Sequence, residues 1–579
     1  MSTYRAPLAD MQFVIDQWLH APAAWAQSGR FEHVDAQLSQ QVLEEGARFA
    51  ENELLPLNAS GDQQGCRYHE GQVHTPEGFA QAYARYVEGG WPALACDVED
   101  GGQGLPMLLN AALHEVLYAC NHAWAMYSGI AHGAYECLRR FASAELRQAW
   151  LGKIVSGECL ATMCLTEPQA GSDVGLLRAL ARPDGQGSYG LHGNKIFISG
   201  GEQDLTGNIL HLVLARLADA PLGSRGISLF LVPKLTEQGQ ANGVQCTGIE
   251  HKMGIKGSAT CSVAFDGARG WLIGEPHRGL AALFVMMNSA RTYVGLQGLA
   301  HAEAAGQKAF AYAQQRVQMR AVQRPDEASA TPDPIACHPA IRAALWESRA
   351  LTEGMRAIGY WSAHLIDLAS EAQGPGRKQL EARIGVLTPV IKAYFTDQGF
   401  QLASQALQVF GGYGYITETG IEQTVRDSRV TMLYEGTNEI QANDLLLRKV
   451  LGDGGEAFAQ LLTIVRAEAC DANDHEGRRW AALLEAGCAQ LMSWVDELRA
   501  APDPEYAYRG AGDFLPALAT LLLGYAWLRS ARLALSSEAQ PFYQRKRETA
   551  AFFFDYLWPR FDYRLQRLYA ARQPLPFIR

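Results

Sequence analysis

The sequence predicts a mainly α protein with a central β domain. A helical domain leads to a β-sandwich or small barrel, then to a helical bundle and an additional helical block. Three observations carry this. Apolar residues recur at three- and four-residue spacing from about Val34 to Ile154, short β-type runs follow from Cys159, and helical periodicity returns near Gly279. With 579 residues the chain has the length for several domains of ordinary size. The corresponding division is an N-terminal extension (1–37), a helical domain (38–158), a middle β domain (159–278), a helical bundle (279–455) and a C-terminal helical domain (456–579).

Each element follows from local pattern. VDAQLSQQVLEEGARFAENELL is amphipathic at helical period, whereas LLNAALHEVLYACNHAWAMYSGIAHGAYECL is apolar nearly all round and predicts a core helix pair. Between them, WPALACDVEDGGQGLP is a loop marked by Gly101, Gly102, Gly104 and Pro106. The β-type runs are ECLATMCLT, YGLHGNKIFIS, ILHLVLARLA, GISLFLVPK, VQCTGIEH and TCSVAFDGA, separated by Gly, Asp, Asn and Pro turns. Long helical segments then run to Val450, interrupted by a Pro- and acid-rich stretch, Val322 to Pro339, expected to be a mobile loop. Gly452 to Gly455 is a plausible hinge before the last block.

Composition narrows the class. The chain is 48% hydrophobic and 19% charged, which excludes a disordered chain; its 57 Gly and 24 Pro, scattered without period, exclude a collagen-like one. The net charge of −11 is the wrong sign for a chain that embraces nucleic acid along its length. Eleven dispersed cysteines, none at CxxC spacing, argue against a disulfide framework or zinc site and for a reducing compartment. Arg5, Asp10 and Asp16 interrupt the N-terminal segment where a signal peptide needs an unbroken apolar stretch. The longest largely apolar run, Leu515 to Leu528, is 14 residues, too short to span a bilayer, and predicts a buried helix. A soluble, cytoplasmic protein without a transmembrane segment is expected. The last block is split in charge: residues 456–513 hold 5 basic and 11 acidic side chains, residues 514–579 hold 10 basic and 4 acidic.

Generic motifs yield little. Gly185-x-Gly187-x-x-Gly190 lies between two β-type runs and opens no helix, so it is a hairpin turn rather than a nucleotide fingerprint. No P-loop, HExxH or GxSxG occurs, and the 15 His show no ligand spacing; no metal is expected. Three segments stand out. Leu165 to Asp173 (LTEPQAGSD) takes a strand into a turn whose amides and hydroxyls can face a ligand, though a structural turn has the same composition. Gln408 to Tyr415 (QVFGGYGY) places paired glycines after a helix, as a ligand cradle or a plain C-cap. Tyr434 to Gln441 (YEGTNEIQ) sets Glu435 beside Met432, Leu433 and Tyr434. Burial there would make Glu435 a stronger base, while a solvated Glu at a helix start is the bland alternative.

Together, in this order and spacing, the three segments resemble the acyl-CoA dehydrogenase family over roughly residues 38–455. HKMGIKGSAT, Arg316-x-Gln318 and the FGGYGY glycines fit the same pattern. The opening STYRAPLADMQF and the extra C-terminal block are similar to a bacterial branch that includes fatty acyl-CoA and 3-methylthiopropanoyl-CoA dehydrogenases. The resemblance implies FAD as cofactor and removal of hydrogens from the α and β carbons of an acyl thioester. By matched position Glu435 would take the α-proton while the β-hydride goes to flavin N5. An α-proton beside a thioester is a poor acid, so charge growing on the carbonyl oxygen must be stabilised. In the family a flavin ribityl hydroxyl and the backbone N–H of the catalytic Glu do so.

By the same resemblance, Met163, Leu165, Thr166, Gly171 and Ser172 would line the flavin, with Ser172 also touching substrate, and Phe197, Ile198 and Ser199 would form a second flavin strand. Arg316 and Gln318 would reach the FAD pyrophosphate of a neighbouring subunit. Gln408, Gly411 and Gly412 would hold the adenine side, and Thr437 with Glu439 would finish the site. Asn288, Arg291 and Gly436 would meet the substrate. A homodimer or dimer of dimers and an electron-transfer flavoprotein as acceptor are implied. Three departures stand out: Phe197 where many relatives have Trp, Met163 where some have Tyr, and Asn288 where an acidic residue is common. Medium- to long-chain fatty acyl-CoA is the expected substrate, with 3-methylthiopropanoyl-CoA the alternative. One branch of the family binds DNA through a basic C-terminal domain. A DNA-associated flavoprotein is therefore the more distant alternative, against a basic end that docks on acidic neighbours.

Overall fold

The computed structural model describes residues 4–324, 332–537 and 539–578. The chain divides into two compact units, one of residues 45–293 and one combining residues 1–44 with 294–579.

In the first unit a helical layer precedes the sheet. Helix α1 (Met107–Gly129) is buried along nearly its whole length, as its all-round apolar sequence requires. It kinks at Asn121, where the backbone leaves helical geometry and the side chain accepts from Trp124 N at 3.0 Å. Helices α2 (Ala131–Phe141) and α3 (Ala144–Val155) follow, the latter capped by Ser143. Seven strands come next: β1 (Cys159–Cys164), β2 (Leu180–Pro183), β3 (Tyr189–Ser199), β4 (Asn208–Leu217), β5 (Ile227–Pro233), β6 (Val244–Ile249) and β7 (Thr260–Ile273). They pair in the order β1-β4-β2-β3-β7-β5, with β6 on β7, and the added β4–β5 pairing closes the sheet on itself. The expected small barrel is the one that forms. Its parallel pairings set β1 against Asn208 to Val213 of β4 and β2 against Arg216 and Leu217; Ile209 to Ala215, apolar but for His211, are buried. The glycines of GQGSYG turn between β2 and β3, with Gly185 and Gly187 at positive φ, so this motif is a hairpin.

The second unit is helical. α4 (Gly279–Gln315) enters it at Val294 and is joined there by α5 (Pro339–Glu371), α6 (Gly374–Val409), α7 (Ile421–Arg429) and the short α8 (Asn438–Asn443). α4 and α6 approach so closely that a methyl group at Gly298 would collide with the Phe395 carbonyl, and one at Gly399 with the Gly298 carbonyl. We expect Gly298→Ala to cost about 1–3 kcal/mol by overpacking, read as a lowered urea midpoint with unchanged m-value. Part of the stretch expected to be mobile, 325–331, lies outside the described residues. Its flanks are pinned rather than loose. Asp333 is buried, accepts from Ala321 N at 2.9 Å and pairs with Arg324.

The C-terminal block forms α9 (Glu456–Cys470), α10 (His475–Ala500), α11 (Glu505–Ala534), α12 (Pro541–Phe552) and α13 (Pro559–Ala570). Leu515 to Leu528 belongs to a helix of 30 residues, longer than the apolar run suggests because flanking Ala, Gly and Tyr continue the periodicity. By length and composition α11 could cross a membrane, but 89% of its most apolar window is buried within the protein. The charge split resolves into ion pairs. Arg529 and Arg532 meet Glu468, Arg547 meets Asp474 and Glu476, Arg564 and Arg567 meet Asp513, and Arg560 meets Glu347. Lys546 is buried between Asp10 and Glu353; Asp10 also pairs with Arg356, itself fully buried and bound to Glu303.

Candidate active site

The singled-out residues fall into three groups. In the first unit, β1 carries half-buried Met163 and runs into half-buried Leu165 and Thr166, after which Gly171 and Ser172 are exposed at the turn. A methyl group at Gly171 would meet nothing within 4 Å, so this backbone presents an open face. β3 meets the same turn: Ile196 N donates to Thr166 O at 3.0 Å. Its register against β7 slips between Lys195 and Ile198, so two residues oppose Ser262 alone. That bulge puts Phe197 in the left-handed region (φ 59°) and leaves the residue 58% exposed, while Ile198 is buried and Ser199 half-buried. On α4, Asn288 is exposed and Arg291 is buried.

The second group lies in the helical unit around the end of α6. Gln408 is exposed in its last turn, and Gly411 to Tyr415 form a 3-10 turn with Gly411 at φ 60°. Arg316, Gln318, Gly411 and Gly412 line one cleft of about 680 Å³. Tyr312 and Phe410 stack there with centroids 4.2 Å apart, and the Arg316 guanidinium sits 5.6 Å over the Tyr413 ring. A methyl group at Gly411 or Gly412 would project into open space. Flat rings, a cation and bare backbone suit a planar base attached to phosphate.

The third group is Tyr434 to Glu439. Glu435 and Gly436 both adopt positive φ, 56° and 84°, making a sharp corner before α8, which starts at Asn438. The helix therefore begins within YEGTNEIQ rather than after it. Glu435 is half-buried, and Leu433 beside it is exposed, because Val430 to Met432 turn as a 3-10 element instead of packing over the carboxylate. The corner is braced from below. Gln441 Nε2 donates to Glu435 O at 3.0 Å and buried Lys392 donates to Gly436 O at 2.8 Å. Tyr434 Oη donates to Gln297 Oε1 on α4 at 2.5 Å. Thr437 is half-buried; its hydroxyl bonds the Glu439 carboxylate and holds it below the usual carboxylate range. Glu439 lines a different cleft, with Arg429, Arg560 and Arg564. Lys392 and Gln297 were missed by motif reading, though a lone Lys within the apolar TPVIKAYF was a signal.

Family models for the acyl-CoA dehydrogenase N-terminal, middle and C-terminal domains match residues 37–158, 162–268 and 277–449, and an acetyl-CoA dehydrogenase C-terminal-like model matches 457–575. The chain is 39% identical over 569 residues to a 3-methylmercaptopropionyl-CoA dehydrogenase of Ruegeria pomeroyi, covering 95% of each chain. The chain belongs to the acyl-CoA dehydrogenase family. It is an oxidoreductase acting on the CH–CH group of acyl-CoA, with FAD as cofactor. This dehydrogenase is also 33% identical over 586 residues to a broad-specificity linear acyl-CoA dehydrogenase of Mycobacterium tuberculosis, covering 96% of this chain and 95% of that one. Its fold matches an acyl-CoA dehydrogenase complexed with FAD from Bacillus anthracis, with TM-score 0.78 at 20% identity, covering 95% and 91% of the two chains. Among the described residues no cluster of His, Cys, Asp and Glu is arranged to hold a metal ion.

Proposed function

We propose that Glu435 is the base that removes the α-proton of an acyl-CoA, and that the substrate is a short acyl thioester of the 3-methylmercaptopropionyl type. The single observation that carries the substrate reading is the 39% identity along nearly the whole chain to a dehydrogenase of that name. Medium- to long-chain fatty acyl-CoA is the second reading, favoured by the relative with broad linear specificity.

The residues present fit FAD. Arg316, Gln318, Gln408, Gly411 and Gly412 would take its adenine and phosphates, as the stacked rings and open glycines of that cleft suit. Met163, Leu165, Thr166, Gly171, Ser172, Phe197, Ile198 and Ser199 would meet the flavin ring, with Thr437 and Glu439 beside it. When bound, FAD accepts the hydrogen lost from the β carbon with its electron pair. The chain's own part is to hold the thioester and take the proton. Gly436, at a φ of 84° that suits glycine, would meet the thioester, and the brace from Gln441 and Lys392 fixes the corner that aims Glu435. Ser172, Asn288 and Arg291 would contact substrate. A homodimer or dimer of dimers sharing FAD between subunits, an electron-transfer flavoprotein as acceptor and a cytoplasmic location complete the reading. The ion pairs of the basic C-terminal end favour docking on acidic neighbours over DNA binding.

Anaerobic flavin bleaching by acyl-CoAs from C4 to C16, with 3-methylmercaptopropionyl-CoA included, tests the substrate. We expect that thioester and C4–C6 chains to bleach the flavin with a second-order rate constant about ten-fold or more above that of C16, since each unfilled or unaccommodated methylene is worth about 1–3 kcal/mol. A maximum at C12–C16 would establish the second reading instead.

A further inference from the structure

We infer that the buried ion pair Lys195–Glu167 is a positioning couple that sets the flavin-facing surface of the β domain, an inference that rests on the reading of Thr166 and Phe197 as flavin neighbours. Neither residue is in the set assigned above to cofactor or substrate. Lys195 is 0% exposed and Glu167 3%, within the barrel wall. Their placement is specific. Lys195 Nζ donates to Glu167 Oε1 at 2.8 Å and to Leu165 O at 3.0 Å, so one ammonium grips both sides of Thr166. The Glu167 carboxylate in turn accepts from Arg178 N at 2.7 Å, Ala179 N at 3.1 Å and Gln169 Nε2 at 2.7 Å. One charge pair thus joins β3, the end of β1, the turn and the segment that returns to β2. Burial pushes the Glu167 carboxyl up, but Lys195 and the two amides outweigh it and hold it below the ordinary range.

The position of Lys195 explains why this costly arrangement is used. It is the last regularly paired residue before the bulge, and Phe197 lies two residues on, at a φ that a phenylalanine adopts under strain. Strain of that kind persists only where the surroundings over-determine the backbone. Here the determinants are the Ile196–Thr166 backbone bond and the Lys195 ammonium behind it. An apolar pair could fill the same volume at similar or better stability, but it could not hold Leu165 O and the amides of residues 178 and 179.

The test uses Glu167→Gln, Glu167→Asp and Lys195→Met in the full chain, with Phe197→Ala as a control on the underlying reading. FAD affinity of the apoprotein is titrated by quenching of flavin fluorescence, well below each variant's Tm, and the visible flavin spectrum of the loaded protein is recorded beside it. Turnover is measured separately as kcat and KM. We expect Lys195→Met and Glu167→Gln to weaken FAD binding by about ten-fold or more and to shift the flavin bands. Glu167→Asp keeps the charge but shortens its reach; it should retain most of the thermal stability and still lose FAD affinity. Lowered Tm with unchanged FAD affinity and spectrum in the folded protein would make the pair merely structural and overturn the inference. If Phe197→Ala also leaves both readouts unmoved, the flavin-facing reading itself has failed; if Phe197→Ala moves them alone, the positioning couple has.

Discussion

Glu435→Gln is expected to lower kcat by about 10²–10⁴-fold, the range for loss of a positioned general base, with FAD content and Tm close to those of the parent. The substitution keeps the shape of the side chain and the backbone bond from Gln441 to residue 435, so the corner before α8 should persist. Single-turnover bleaching under substrate saturation is the measurement, because it isolates proton removal from binding. A variant that bleaches at the parental rate would remove Glu435 from the chemistry. Loss of the bound flavin would mean that the carboxylate supports the fold of the site instead.

Breaking the buried cluster around Asp10 should have the largest effect on stability. Asp10→Ala leaves Lys546 and Arg356 with one half-buried carboxylate partner each, Glu353 and Glu303. Removing one member of such a set costs about 3–5 kcal/mol, more than the Gly298 substitution. The cluster also makes a pH prediction. Burial pushes the Asp10 carboxyl up, but Lys546 and Arg356 outweigh it and hold it below its ordinary 3.8, so its contribution is present above that value and is lost as pH falls through the folded pKa. Burial pulls Lys546 down, but Asp10 and Glu353 raise it above 10.5; its contribution is full below that value and is lost as pH rises through the folded pKa. Glu353, raised by burial, gains on protonation and partly offsets the acid loss. Chemical denaturation from pH 3 to 11 should therefore show an acid loss below 3.8 from Asp10 and an alkaline loss above 10.5 from Lys546, with a gain from Glu353 between them as pH falls toward 4.5, and Asp10→Ala should flatten the acid limb. An unchanged acid limb would place the pH dependence elsewhere.

Much of this was legible in the sequence because the signals were local. The helix–β–helix order follows from a change of apolar period, and the barrel strands from short β-type runs set off by turn residues. The three motifs could be found because each is a short contiguous run whose glycines, hydroxyls and carboxylates are read without knowing what surrounds them. What stayed hidden depends on distant packing. Nothing near Phe197 announces a bulge; it appears when β3 is set against β7. Lys195 and Lys392 read as ordinary charges until their strand and helix are buried. The apolar neighbours of Glu435 suggested a covered carboxylate, yet a 3-10 turn leaves it half-buried. Substrate length is illegible for the same reason, since cavity depth is a property of packing rather than of spacing.

The Asp10–Lys546 contact has a consequence for biosynthesis. The two residues are separated by 536 positions, so at about 5–20 residues per second Asp10 leaves the ribosome roughly 30–100 s before its partner exists. Arg356 and Glu353 arrive earlier, but until α12 is made the carboxylate lacks one of its two cations. The helical unit is therefore closed late, after the intervening barrel, residues 159–273, has been synthesised in full. During that interval the aromatic N-terminal segment, with Phe13 and Trp18 destined for the core, has no finished site to enter. A nascent chain of this kind exposes that apolar segment for the whole interval, the condition under which multidomain chains aggregate.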